Sequence, residues 1–570
     1  MDPRPSFAFL RDYATRWDGV ALVIVVGFAA FLGAASRGLL APLPDVGVPL
    51  SLDPVHLPEY AARTTLRMFA AMGLSLLFSL GYATWAAKSE RAGKLLIPLL
   101  DILQSVPILG FISVTVVFFL SLTPGRVLGA EFAAIFAIFT SQAWNMAFSV
   151  YQSMRTVPTE LREAADSFHL SRWMQFWRLE LPFAAPALVW NMMMSMSGGW
   201  FFVVAAEAIS VGNSTVSLPG VGTYIALAIH QRNLAAIGWA ILTMLVVILI
   251  YDQLLFRPLV VWVDRFRLDQ DPSGRVPKSW ALTMWRRSRL VGFATHGLRA
   301  MLSRTSRWQP RSGASNERPR RVSGRSELLS VLIVIAVLGF ALWHAAGFLI
   351  GETSVSEAMN VAGLAFLTML RVFILIGLAS LAWVPVGVWV GMRPGVAQIV
   401  QPVAQFLAAF PANLLFPVAV FGIVTFSLHP DIWLSPLMIL GTQWYILFNV
   451  IAGASLMPSE LRNAAQNFQV GGWLWWRRVA LPAVLPYYVT GAITASGGSW
   501  NASIVAELAS WGDMRVEAHG LGAYIADATA AGDFHGIVLG VATMSVFVVV
   551  INRLFWRPLY YYAERKFRLG

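Results

Sequence analysis

Apolar runs long enough to cross a bilayer recur along this chain and limit its fold more than any other feature. They lie near residues 19–36, 64–87, 95–120, 132–154, 183–209 and 235–256, and again near 328–349, 365–391, 397–427, 431–454, 483–508 and 536–556. About 20 helical residues cross the roughly 30 Å hydrocarbon core of a membrane. Twelve transmembrane helices are therefore expected, in an all-α integral membrane fold. Composition agrees. Hydrophobic residues make up 57% of the chain and charged ones 13%, against roughly a quarter charged in soluble domains. A soluble enzyme, a disordered scaffold and a disulfide-stapled secreted domain are excluded, the last also by the lack of cysteine.

The two sets of runs are copies. From Trp144 onward the halves match at an offset of 300: Trp144 with Trp444, Pro158 with Pro458, Pro182 with Pro482, Trp200 with Trp500, Glu207 with Glu507 and Gly222 with Gly522. Upstream the offset is 304, as in Arg67 with Arg371 and Pro107 with Pro411. A six-span unit has been duplicated and fused, giving units at 1–263 and 328–570 joined by a linker at 264–327. An even number of spans before the second copy gives both halves one orientation, about an axis along the membrane normal. Such a pair naturally encloses a central pathway.

Lys plus Arg number 42 against 30 Asp plus Glu, a net charge of +12. In a soluble protein this excess would suggest nucleic acid. Here residues 264–326 hold fifteen basic and four acidic residues, and a basic loop in a membrane protein marks the cytoplasmic side. No nucleic-acid partner is expected. Lys88, Arg91, Lys94, Arg155, Arg162, Arg172 and Arg178, with Arg393, Arg462, Arg477 and Arg478 in the second half, place both termini on that side. No small-residue cleavage site follows the first run, so no cleavable leader is expected. The linker is too polar to pack a core and reads as a tether. Its stretch 278–302 interleaves Arg with Trp, Leu and Phe, a pattern suited to lying on membrane lipid.

Between the fourth and fifth spans of each half lies a polar segment too long for a turn. The first reads VPTELREAADSFHLSRWMQFWRLELPFAAP (157–186) and the second MPSELRNAAQNFQVGGWLWWRRVALPAVLP (457–486). Thr159 and Ser459 are candidate helix caps. Leu-Pro at 181–182 and 481–482 is expected to break the helix before the next span. A short helix–turn–helix would present its small Ala-Ala face and charged rim to the cytosol.

These segments resemble the EAA loop of permease subunits in binding-protein-dependent ABC importers of type I. Glu163-Ala164-Ala165 to Leu181-Pro182 keeps the family's spacing, and Asn463-Ala464-Ala465 to Leu481-Pro482 repeats it. His169 and Gln469 stand where the family has glycine, and Asn463 where it has glutamate. A changed bend is expected, or one taken over by Gly471-Gly472 in the second half. The resemblance implies that Glu163, Ala164, Ala165, His169, Pro182, Asn463, Ala464, Ala465, Gln469 and Pro482 couple the chain to two copies of a cytosolic ATPase. ATP and Mg would be bound there, and a periplasmic substrate-binding protein is implied, all in a bacterial inner membrane. GGWFFVVAAEAI (198–209) with LPGVGTYIALAI (218–229), and their repeats, resemble the nitrate/sulfonate/taurine branch and its fused anion-transport form.

No Gly-Lys-Ser/Thr follows a glycine-rich run, so the chain is not expected to be an enzyme or to bind ATP itself. No metal-ligand spacing is present. Intramembrane ionisable groups are costly and mark candidates for function. Glu207, Glu507, Arg67 and Arg371 are read as pathway residues, with structural pairing among them as the competing reading. Trp200, Trp500, Asn501, Gln104 and Ser105 are polar or aromatic candidates for the cavity. The alternative function is an ion-coupled secondary transporter of six plus six spans. It would need an acidic relay, for which Asp101, Glu207, Glu507 and Asp252 are available.

Overall fold

The computed structural model describes residues 51–105, 108–124, 126–211, 214–266, 280–287, 353–512 and 514–567, with isolated positions 339 and 347. The expected spans at 19–36 and 328–349, and most of the linker, lie outside the described residues. The first half runs through α1 (Leu57–Lys88), α2 (Glu90–Ser105), α3 (Ile108–Leu122), α4 (Val127–Arg155), α5 (Thr159–Ser167), α6 (Leu181–Glu207), α7 (Val221–His230) and α8 (Leu234–Tyr251). The second half follows the same order. It has α9 (Val355–Gly391), α10 (Pro394–Ala409), α11 (Phe416–Thr425), α12 (Gln443–Ser455), α13 (Ser459–Asn467), α14 (Leu481–Ala506), α15 (Leu521–Ala531) and α16 (Phe534–Ile551).

Among the described residues seven helices are long and apolar enough to cross a membrane, or nine if each of two bent pairs is one span. The bends correct the sequence reading. The run at 397–427 is two helices meeting at 72°. Pro411 holds the preceding Phe410 extended (φ −71°, ψ 129°), as a residue before proline prefers. The run at 431–454 bends by 45° between Pro430–Met438 and α12, whereas its counterpart α4 is one helix. Within the run at 95–120, α2 and α3 are described on either side of residues 106–107.

Pro182 and Pro482 do not end a helix, which is a second correction. Helix continues from Arg172 to Glu207 and from Gly472 to Ala506. A π-turn at Phe176–Glu180, and another at Trp476–Ala480, precedes each proline by two residues. A proline ring collides with the carbonyl four residues back and offers no N–H. Widening the turn makes room for it. Pro258 and Pro558 follow π-turns at Asp252–Phe256 and Asn552–Trp556 in the same way.

In each half the fourth-span helix lies between two others: α4 between α1 and α6, and α12 between α9 and α14. Ala130, Ala133, Ala134, Ala137, Ala143 and Ala147 of α4 are all buried, because small residues let helices approach closely in lipid. Leu77, Leu242, Val246, Leu378, Leu381 and Val546 point outward and are exposed, as suits lipid as the surrounding solvent. Each half also packs on the other. α3 packs on α14 and α16, while α10 packs on α6 and α8.

Among the described residues two antiparallel hairpins interrupt the helices. β1 (Ala208–Val211) pairs with β2 (Ser214–Ser217), and β3 (Leu508–Trp511) pairs with β4 (Met514–Glu517). Each hairpin is closed by a glutamate carbonyl: Glu207 O accepts from Leu218 N at 3.1 Å and Glu507 O from Ala518 N at 2.8 Å.

Candidate functional site

Three places carry the functional candidates: the loops at one end of α4 and α12, an ion cluster at the other end, and a cavity between the halves. In the loops, α5 and α13 begin after Pro158 and Pro458, which occupy the cap positions; Thr159 and Ser459 are the first helical residues. Both helices end in the same left-handed turn. His169 has φ 51° and Gln469 φ 53°. The Leu170 and Val470 N–H groups donate to Ala165 and Ala465 carbonyls at 3.1 and 2.8 Å, a Schellman closure. The bend is made without a glycine at His169 and Gln469, and in the second loop Gly472, three residues on, also takes a positive φ of 57°.

The loops present their polar rim, with Glu163, Asp166, Asn463 and Gln466 exposed, but only part of the Ala-Ala face. Ala165 and Ala465 are buried, the latter against Met457, Val479 and Ala483. Ala164 is exposed and Ala464 half-buried, while Glu163 and Asn463 are exposed. The outermost apolar groups are Phe168 and Phe468, 78% and 82% exposed. Sequence reading passed over them. Their signal was available, as an aromatic residue at matched positions in a polar loop. Arg162 Nη2 donates to Met154 O at 2.6 Å and ties α5 to the end of α4. Lys88 pairs with Glu180 at 2.9 Å. Pro182 and Pro482 are half-buried at the start of α6 and α14.

Arg67 sits between two carboxylates. Its Nε and Nη2 donate to both oxygens of Glu131 at 2.5 and 2.6 Å, and Nη1 donates to Glu207 at 2.7 Å. The other Glu207 oxygen accepts the Gly222 N–H at the start of α7, at 2.7 Å. In the second half Arg371 donates to Asp431 at 2.7 Å and Glu507 at 3.0 Å, and Glu507 accepts the Gly522 N–H at 2.7 Å. A carboxylate at a helix N-terminus meets both the free N–H groups and the positive end of the dipole. The glycines are needed for the approach: a Cβ at Gly222 or Gly522 would run into the Val204 or Ser503 carbonyl. Glu131 and Asp431 were not anticipated, although both are acidic and stand 300 residues apart. Arg67, Glu207, Arg371 and Glu507 thus hold one another and do not line the central cavity.

That cavity is about 260 Å³ and is walled by both halves. Gln104, Trp500 and Asn501 line it, joined by Thr140, Trp144, Asn145, Phe201, Phe202, Thr442, Tyr445, Asn552 and Trp556. Gln104 Nε2 donates to Asn145 Oδ1 at 3.1 Å. Ser105 ends α2, and its side chain lies outside the described residues. Trp200 is fully buried behind the cavity, its Nε1 donating to Tyr251 OH at 3.1 Å. The described lining contains no Asp, Glu, Lys, Arg or His. It offers amide, hydroxyl and indole donors among aromatic rings. One continuous helix, Arg172–Glu207, connects loop, cavity wall and ion cluster, and Gly472–Ala506 does the same in the second half.

A protein family described as "Binding-protein-dependent transport system inner membrane component" matches residues 69–265 and again 383–568. The bicarbonate transport system permease protein CmpB of Synechococcus elongatus is 28% identical over 176 residues, 31% of this chain and 60% of that protein. The nitrate import permease protein NrtB of Leptolyngbya laminosa is 25% identical over 177 residues, again 31% and 60%. The glycine betaine/carnitine transport permease protein GbuB of Listeria monocytogenes is 26% identical over 250 residues, 44% of this chain and 82% of that protein. The chain thus spans 60% of the length of the bicarbonate and nitrate relatives. With two matches that together cover more than half of it, the chain belongs to the inner-membrane components of binding-protein-dependent transport systems: it is a multi-pass ABC importer permease similar to the bicarbonate and nitrate branch.

Proposed function

We propose that this chain is the complete transmembrane pathway of an ATP-driven importer, two permease units (1–263 and 328–570) fused through the basic linker 264–327. The carrying observation is the pair of continuous helices that each join a docking loop to the shared cavity wall. A rigid rod of this kind moves the cavity wall when its loop is pushed. Two cytosolic ATPases engage α5 and α13, binding ATP and Mg themselves. Their closure draws the loops together and turns the cavity from one side of the membrane to the other. Such a switch works between two discrete packings biased by nucleotide. The termini and linker lie on the ATPase side, and a periplasmic binding protein delivers solute at the opposite end, where the hairpins are.

The solute is a small anion of the bicarbonate, nitrate or sulfonate kind. Neutral donors, with no ionised side chain in the described lining, suit brief occupancy over tight capture, leaving selection to the binding protein. The aromatic walls support a second reading, a quaternary ammonium solute such as a betaine, held over ring faces. The test is uptake into vesicles carrying the reconstituted importer, with nitrate, bicarbonate, taurine and glycine betaine compared. ATP-dependent uptake of one anion is expected. Uptake of betaine alone selects the second reading. Uptake driven by an ion gradient without ATP rejects the importer mechanism in favour of secondary transport.

A further inference from the structure

The two docking loops share a backbone but not an outer face. Both have the same Schellman closure, the same buried alanine and the same exposed phenylalanine. On α5 the residues at successive spacings of three are Glu160, Glu163 and Asp166, all exposed. On α13 the same positions are Glu460, Asn463 and Gln466. Two carboxylates have been replaced by amides, one a methylene shorter and one a methylene longer, so hydrogen-bonding capacity is kept and charge is lost. With Arg162 and Arg462 counted, α5 carries three acids to one base and α13 one to one. The supports differ too. Lys88 grips Glu180 and the Arg172 carbonyl beside α5, whereas the second half has Met392 and Ala480 at the matching positions. Gln175 donates to Asp166 at 2.7 Å, and Trp475 replaces it in the second half.

We propose that the two loops hold their ATPase partners by different forces. α5 docks by charge against a basic-lined groove, with Phe168 as its apolar anchor. α13 docks mainly by burying Phe468 and is nearly indifferent to salt. This rests on the importer reading above and adds that the two partner sites are unequal. Exposed charge pairs weaken as ions screen them, over about 8–10 Å at physiological salt. Burial of an aromatic ring does not weaken in this way. Raising salt therefore releases the partner at α5 first and leaves a complex held at α13.

The chain has no cysteine, so a single introduced thiol reports on one loop alone. Ser167→Cys and Asn467→Cys, each labelled with a fluorophore, are titrated with the ATPase subunit purified from the wild-type complex, at low and high salt. The expected result is a roughly 3- to 10-fold loss of affinity at the Ser167 label across the salt range and little change at the Asn467 label. E163Q with D166N should abolish the salt response at the first loop, and N463E with Q466E should create one at the second. Equal salt responses at the two wild-type loops, or charge variants without effect on either, overturn the inference while leaving the importer reading standing. Absence of any ATPase subunit in the wild-type complex removes both.

Discussion

The two ion clusters are built on one plan and differ in how exposed they are. Arg67, Glu131 and Glu207 have side chains 4%, 9% and 0% exposed. Arg371, Asp431 and Glu507 are 14%, 28% and 1% exposed. One methylene accounts for much of this. Glu131 reaches far enough to meet the guanidinium with both oxygens, a bidentate pairing that is short and directional. Asp431 meets it with one, and the same oxygen also accepts the His519 N–H at 2.7 Å. At the position matching His519 the first half has Pro219, which has no N–H and instead accepts from Arg67 through its carbonyl at 3.0 Å. The shared member, the glutamate that seats α7 or α15, is equally buried in both. Duplication has kept the helix anchor and let the outer partner drift.

The largest effect should come from removing the arginines. Arg67→Met leaves Glu131 and Glu207 facing each other without their cation, a change that costs about 3–5 kcal/mol when a buried pair is broken. Arg371→Met strands the equally buried Glu507 but leaves the more exposed Asp431 with its His519 contact, so its loss should be smaller by about 0.2–1 kcal/mol, the range of an exposed pair. Unfolding in detergent followed by tryptophan fluorescence measures both. Equal losses would show that the difference in exposure has no energetic weight.

The next effect tests what the halves share. Gly222→Ala and Gly522→Ala each force a Cβ against a backbone carbonyl, and overpacking of this kind costs about 1–3 kcal/mol. The two losses should agree, because the seat of α7 on Glu207 matches that of α15 on Glu507. A smaller change exchanges the drifted partner. Glu131→Asp turns the bidentate contact into a single one and should lose about 1 kcal/mol. Asp431→Glu should be neutral or slightly stabilising. A large loss in Asp431→Glu would mean that the second cluster is adapted to aspartate.

Much of this was legible in the sequence, for definite reasons. The cost of a charge in lipid makes Arg67 and Glu207 conspicuous, and the same cost requires a partner, so their pairing was a reading already open. The loops were legible through two matched motifs. The third member of each cluster escaped because Glu131 and Asp431 sit at the edge of their apolar runs, where an acid looks like loop. Axis bends escaped because hydropathy counts apolar residues and carries no direction; the 72° break at Pro411 has the same apolar content as a straight helix. The π-turns escaped because proline near a helix start reads equally well as a break. Most cavity residues, such as Thr442 and Tyr445, escaped because only the packing of one half on the other selects them.

The smallest expected effect concerns the docking loops and tests their backbone equality. His169 and Gln469 occupy the left-handed region at φ 51° and 53°, where a side chain costs roughly 1–2 kcal/mol relative to the usual region. Glycine removes that strain but brings more freedom to the unfolded chain. His169→Gly and Gln469→Gly should therefore each stabilise their loop by a net of about 0.5–1 kcal/mol. Amide hydrogen exchange of Leu170 and Val470, whose N–H groups close the turns, reads this directly as slowed opening. The two gains should be alike, since strain here depends on backbone shape and not on the charge of the outer face. Unequal gains would place part of the difference between the docking loops in their framework as well as in Glu163, Asp166 and their amide counterparts.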